Sequence, residues 1–178
     1  MYGYRMKPSN IVYVLDKHDR ILSLDGAWDR FVHENDGVNL SSQDVCGRKI
    51  WDFITGDATR MWLETVFQYV RLRKANVDRP YRCDSPHLKR FMRMRIHFIE
   101  GGMLRLEHEI LATEQRSAPV HIKYGAHAQR NARQRCSICG RVNNEGWREP
   151  TAEQADAPVG ILVIYTVCED CQRLMPGT

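Results

Sequence analysis

Apolar and polar positions change period several times along the chain, and each change marks an element. IVYVL at 11–15 is a short β-branched run, DKHDR at 16–20 is polar, and ILSLD at 21–25 turns apolar again. That pattern predicts two strands joined as a hairpin. In GAWDRFVHEN (26–35), Trp28, Phe31 and Val32 recur at helical spacing and predict a short amphipathic helix. Asn, Asp, Gly and Ser punctuate 35–43, and VCGRKIWDFI (45–54) brings short apolar turns of helix. The strongest helical pattern covers 57–74, where Met61, Trp62, Val66, Phe67, Tyr69 and Val70 form one stripe. Asp57 is placed as its N-cap, and its basic last turn suits the negative end of a helix dipole.

Three strands follow. VDRPYRC (77–83) is the first. KRFMRMRIHFI (89–99) alternates, with Met92, Met94, Ile96 and Phe98 on one face and Arg93, Arg95 and His97 on the other. MLRLEHEIL (103–111) sets Leu104, Leu106, His108 and Ile110 opposite Arg105, Glu107 and Glu109. Glu100-Gly101-Gly102 fits a three-residue hairpin loop. The resulting register faces Arg95 with Glu107, Arg93 with Glu109 and Met94 with His108. A one-residue slip would spoil both the charge pairs and the apolar pairs. Residues 113–131 show no sustained period and read as a linker, with helix expected toward Arg133.

Two Cys-x2-Cys pairs then close the chain: Cys136 with Cys139, and Cys168 with Cys171. Two residues between thiolates let one tight turn aim both sulfurs at one ion, and two such turns complete a tetrahedron. Gly140 frees the first turn to take a positive φ. ILVIYTV (161–167) reads as the strand that delivers the second pair, as in a zinc ribbon. A unit of this size cannot pack a stable core alone, so metal binding supplies much of its folding free energy. Zinc is the expected ion; iron in a rubredoxin-like site uses the same ligands. Four thiolates leave no open position for catalysis, so the role is structural. Cys46 and Cys83 stand alone and read as small half-buried thiols.

The 178 residues suffice for one ordinary domain and a small accessory unit. The net charge of +4 permits an acidic partner without demanding one. MYGYRMKPSN has no apolar core of a secretory signal, and no apolar run is long enough to span a bilayer. With the thiol chemistry, this predicts a cytoplasmic protein with no membrane partner. Between Arg71 and Arg95, nine Lys or Arg stand against two Asp, which a nucleic-acid footprint would explain. The hairpin register pairs two of them with glutamates, however, so a solvated, partly neutralised sheet face is expected.

The order of elements, and three motifs, resemble a PAS domain. DKHDRILSLDGAWDRF (16–31) is similar to the PAS start, where a hairpin leads into a helix. DVCGRKIWDFI (44–54) resembles the family's Val-x-Gly-Arg-x-(apolar)-x-Asp/Glu-Phe/Leu-(apolar) pattern. RPYRCDSPHLKRFMRMRI (79–96) is similar to a stretch in one group of bacterial PAS-fold proteins. DVCGRK lacks the Asn-Cys-Arg-Phe-Leu context of the light-sensing subgroup, so no photochemistry is carried over. The resemblance implies an α+β fold, with a five-stranded antiparallel sheet and helices on one face over 10–112. After the linker, a small zinc-ribbon-like unit occupies 132–178.

It also implies a sensor or protein-interaction module and not an enzyme. A small-molecule pocket would lie between the long helix and the inner sheet face, lined by Phe67, Met94, Ile96, Leu106 and His108. His108 sits where an apolar residue is expected. It reads as a hydrogen-bonded core histidine, with a contact to a ligand or haem the sharper alternative. The expected function is a stand-alone PAS-type regulator with a structural zinc tail, signalling through a protein partner and able to form a homodimer. The alternative is a nucleic-acid-binding or transcription-associated protein that uses the cysteine tail. Against it, the five arginines from 132 onward are nearly balanced by acidic groups, a poor electrostatic footprint.

Overall fold

The computed structural model describes residues 10–25, 27–34, 40–125, 131–154 and 160–174. Expectations for the first nine residues, for 35–39, for 126–130 and for the last four lie outside the described residues. The predicted hairpin forms from β1 (Ile11–Leu15) and β2 (Ile21–Leu24). The polar turn between them is held by the Asp16 carboxylate, which accepts from the His18 and Arg20 amides. Helices α1 (Ala27–Glu34) and α2 (Ser42–Val45) and a 3-10 turn (Ile50–Phe53) then cross one face of the sheet. Ser41 and Asp44 form a capping box that starts α2.

The long helix α3 runs Asp57–Arg73 and buries Trp62, Val66, Phe67 and Val70. Its expected stripe is narrower than the sequence suggests, because Met61 is 67% exposed. The N-cap is Gly56, and Asp57 is the first helical residue, where its carboxylate still complements the dipole. Gly56 has φ +92, and a Cβ there would stand 2.8 Å from Tyr165 Cβ. The helix start therefore needs a glycine both for its backbone angle and for close approach.

Strands β3 (Val77–Arg82), β4 (Leu88–Ile99) and β5 (Met103–Gln115) complete an antiparallel sheet of order β2-β1-β5-β4-β3. Pro80 fits in β3 because that strand is an edge. The predicted register holds: Arg95 faces Glu107, Arg93 faces Glu109 and Met94 faces His108. The buried face carries Met92, Met94, Ile96, Leu104 and Leu106. On the outer face, Arg95 pairs with Glu109 at 2.9 Å and with Asp78 at 3.3 Å.

The stretch expected as a linker is structured where it is described. It extends β5 to Gln115, buries Val120, and forms β6 (Ile122–Tyr124). The expected helix toward Arg133 is instead strand β7 (Arg133–Cys136). These pieces were too short to show a period. They order because a second sheet receives them: β6-β10-β7-β8-β9, with β8 (Val142–Asn143), β9 (Trp147–Arg148) and β10 (Ile161–Thr166). β10 is parallel to both β6 and β7, with Thr166 beside Cys136. Both cysteine pairs therefore leave the same end of that sheet, the second entering the short helix α4 (Glu169–Gln172). One buried cluster joins the two units: Cys136, Val167, Cys168 and Cys171 pack into the core formed by Phe67, Met94 and Leu106. No helix among the described residues is long and apolar enough to cross a membrane.

Candidate functional site

The ligand atoms of Cys136, Cys139, Cys168 and Cys171 lie within 4.8 Å of one another. A tetrahedral ion with metal–sulfur bonds of about 2.3 Å has sulfur–sulfur edges of roughly 3.8 Å. Cys139 and Cys168 stand 3.8 Å apart, so the four residues fit one metal ion. Four thiolates around a divalent ion carry excess negative charge. Arg141 offsets part of it, with Nε 3.3 Å from Cys139 Sγ and a second nitrogen 3.0 Å from Asp170. The Cys168 amide donates to Cys136 Sγ at 3.4 Å. Hydrogen bonds from Cys136 and Cys171, with a smaller one from Arg141, pull the Cys139 thiol well below its ordinary range. Gly140 has φ +74, as its place after the first pair requires.

Next to the four-cysteine cluster lies a cavity of about 520 Å³, within the range of small-molecule sites. Phe67, Met94 and His108 line it, as does Met92. Ile96 and Leu106 do not. Both are fully buried in the solid core, further toward the β4–β5 loop. Trp28, Phe31, Phe53, Ile54, Trp62 and Leu63 bring the helical walls. One further part of the wall was not legible in the sequence: Cys136, Ser137, Ile138 and Gly140, from the first cysteine knuckle. Ser137 shares a hydrogen bond with Thr59 of α3, and the Arg82 amide donates to the Ile138 carbonyl at 2.7 Å. The knuckle is thus tied to both the helix and the sheet.

Inside the cavity, His108 is held between two tyrosines. Its Nδ1 is 2.8 Å from Tyr81 Oη and its Nε2 is 3.1 Å from Tyr13 Oη. Tyr13 also stacks on the ring at 5.3 Å. Burial lowers the His108 imidazole to about 4 and raises both tyrosines above their ordinary value, so the trio is neutral near pH 7. With both ring nitrogens engaged, His108 is a hydrogen-bonded core histidine and offers none to haem iron. Cys83 also lines the cavity, and burial pushes its thiol up, away from reactivity.

The basic stretch departs from the expected solvated face at one end. The side chains of Arg82 and Asp84 are only 7% and 5% exposed and pair at 2.8 Å. Arg116 reaches the same carboxylate at 2.9 Å and Arg135 at 3.6 Å, while Arg82 also meets Glu149 at 3.0 Å. This cluster locks β3 to β7 beside the cavity. Nothing in the sequence pairs residues so far apart.

The strand order β2-β1-β5-β4-β3, with helices on one face, is that of the PAS fold, here joined to a four-cysteine unit. No protein-family model matches the chain, and no curated protein matches it. Among solved structures it is similar to the PAS domain of the quorum-sensing receptor RpfR from Cronobacter turicensis. In complex with C12:0, that domain is 13% identical with a TM-score of 0.44, over 61% of this chain and 99% of that chain. In complex with BDSF, it is 14% identical with a TM-score of 0.44, over the same shares. A domain of an HTR-like protein from Haloarcula marismortui is 10% identical with a TM-score of 0.39, over 58% of this chain and 98% of that chain.

Proposed function

We propose that the protein is a PAS-type sensory module that binds a small molecule in the cavity beneath α3 and signals by contact with a protein partner. Its four cysteines hold a structural zinc ion. One observation carries this reading: a cavity of ligand size, mostly apolar with a few converging polar groups, is walled on one side by the metal knuckle. Occupation of the cavity can then be felt at Ser137 and Ile138, and through them across the second sheet. The reading is of a binding module and not an enzyme, since four thiolates fill the coordination of the metal. The zinc supplies cross-linking of two chain segments; Cys136, Cys139, Cys168 and Cys171 hold it, and Arg141 balances its charge.

The test is mass spectrometry of the organic extract and metal content of freshly purified protein, alongside a Met94→Trp variant. The larger side chain projects into the cavity and narrows it. The wild type is expected to yield a small molecule that the variant lacks, while both carry one zinc per chain and keep the same circular dichroism. An extract identical in both proteins contradicts ligand binding at this cavity. Iron in place of zinc corrects the metal.

A further inference from the structure

The proton inventory of the cavity defines what it can hold. The neutral His108 ring has one N–H and one bare nitrogen. One tyrosine must therefore donate to the ring and the other must accept from it. The two hydroxyls and the ring bring three hydrogens, and the two hydrogen bonds use two. One tyrosine O–H is left over, on a residue that lines the cavity, since both Tyr13 and Tyr81 do.

Trp62 supplies a second unspent donor. It lines the same cavity and is only 6% exposed, and its indole N–H has no partner among the described residues. Buried donors left unpaired are rarer and costlier than under-used oxygen lone pairs. The charged groups on the lining point the same way. Arg82 and Arg135 contribute to it, and its one carboxylate, Asp84, is already shared among Arg82, Arg116 and Arg135. A cation finds no free counter-charge among these described groups.

Resting on the ligand-binding reading above, we propose that the cavity takes a largely apolar molecule with a hydrogen-bond-accepting oxygen and no positive charge. The unspent tyrosine O–H reads that oxygen, and the Trp62 N–H joins it once the indole ring shifts to expose its buried nitrogen. A carbonyl and a carboxylate share this chemistry.

Calorimetric titration of the full-length, metal-loaded protein with four naphthalenes of matched shape separates the cases. They carry an ethyl, acetyl, carboxylate or aminomethyl group. The acetyl or the carboxylate compound is expected to bind about tenfold more tightly than ethylnaphthalene, the worth of one buried hydrogen bond. Whichever of the two is tighter tells whether the head is neutral or anionic. The aminomethyl compound is expected to bind most weakly. Trp62→Phe should shrink the preference over ethylnaphthalene while leaving affinity for ethylnaphthalene itself, which also reports that the cavity is still formed. Equal binding of all four, or tightest binding of the amine, overturns the ligand class and leaves the cavity reading standing. No binding of any of the four overturns both.

Discussion

His108 is the residue at which the strand alternation and the chemistry part company. Alternation placed it on the inner face correctly, but it could not show that Tyr13 and Tyr81, on two other strands, would close on both ring nitrogens. The consequence is measurable. Burial holds the folded imidazole at about 4, against 6.5 for the free side chain. As pH falls below 6.5, the unfolded chain takes up a proton before the folded one does. His108 thus costs nothing above that range and erodes stability between about pH 6.5 and 4, by a few kcal/mol at most. Nuclear magnetic resonance should show the ring titrating near pH 4. In His108→Gln, which can still bond both tyrosines, the unfolding free energy should fall less steeply over that window. A titration near 6.5 contradicts the account. At the other side of the cavity, Asp84 holds three arginines. Asp84→Asn should cost about 3 kcal/mol in urea unfolding, because it strands buried charge. A loss within about 0.5 kcal/mol, usual for a surface substitution, would show that the cluster is well solvated.

Elements with a sustained period or a clear apolar run were legible, and the shortest ones were not. The β4–β5 register followed from complementary charges meeting across a glycine loop, and α3 followed from its stripe. The knuckles followed from cysteine spacing alone. The strands β6, β8 and β9 span two or three residues each, below the length at which alternation can be recognised. The docking of α3 on β10 was hidden as well, because it depends on Gly56 lying against Tyr165. Gly56→Ala would combine a positive φ with a Cβ at 2.8 Å from Tyr165. It should destabilise the protein by about 1–3 kcal/mol in chemical unfolding and loosen the tail from α3. A variant as stable as the wild type would mean that the helix start does not bear on the second sheet.

At the scale of the whole molecule, the sequence divides into a PAS-like part, a linker and a cysteine unit, yet the core does not divide there. Cys136, Cys168 and Cys171 sit in the same buried cluster as Phe67 and Met94. A metal ion bound by the four sulfurs therefore braces a cavity wall as well as the tail. By linkage, whatever strengthens the wall strengthens ligand binding, and a bound ligand tightens metal binding by the same factor. Cys139→Ser should accordingly lower both zinc content and thermal stability, with the loss reaching the PAS sheet instead of stopping at the tail. The most direct test of the account is the affinity of acetylnaphthalene for the metal-loaded protein before and after removal of the ion by a chelator. The account predicts that binding weakens by about tenfold or more and returns when zinc is restored. Affinity that is the same with and without the metal would contradict it.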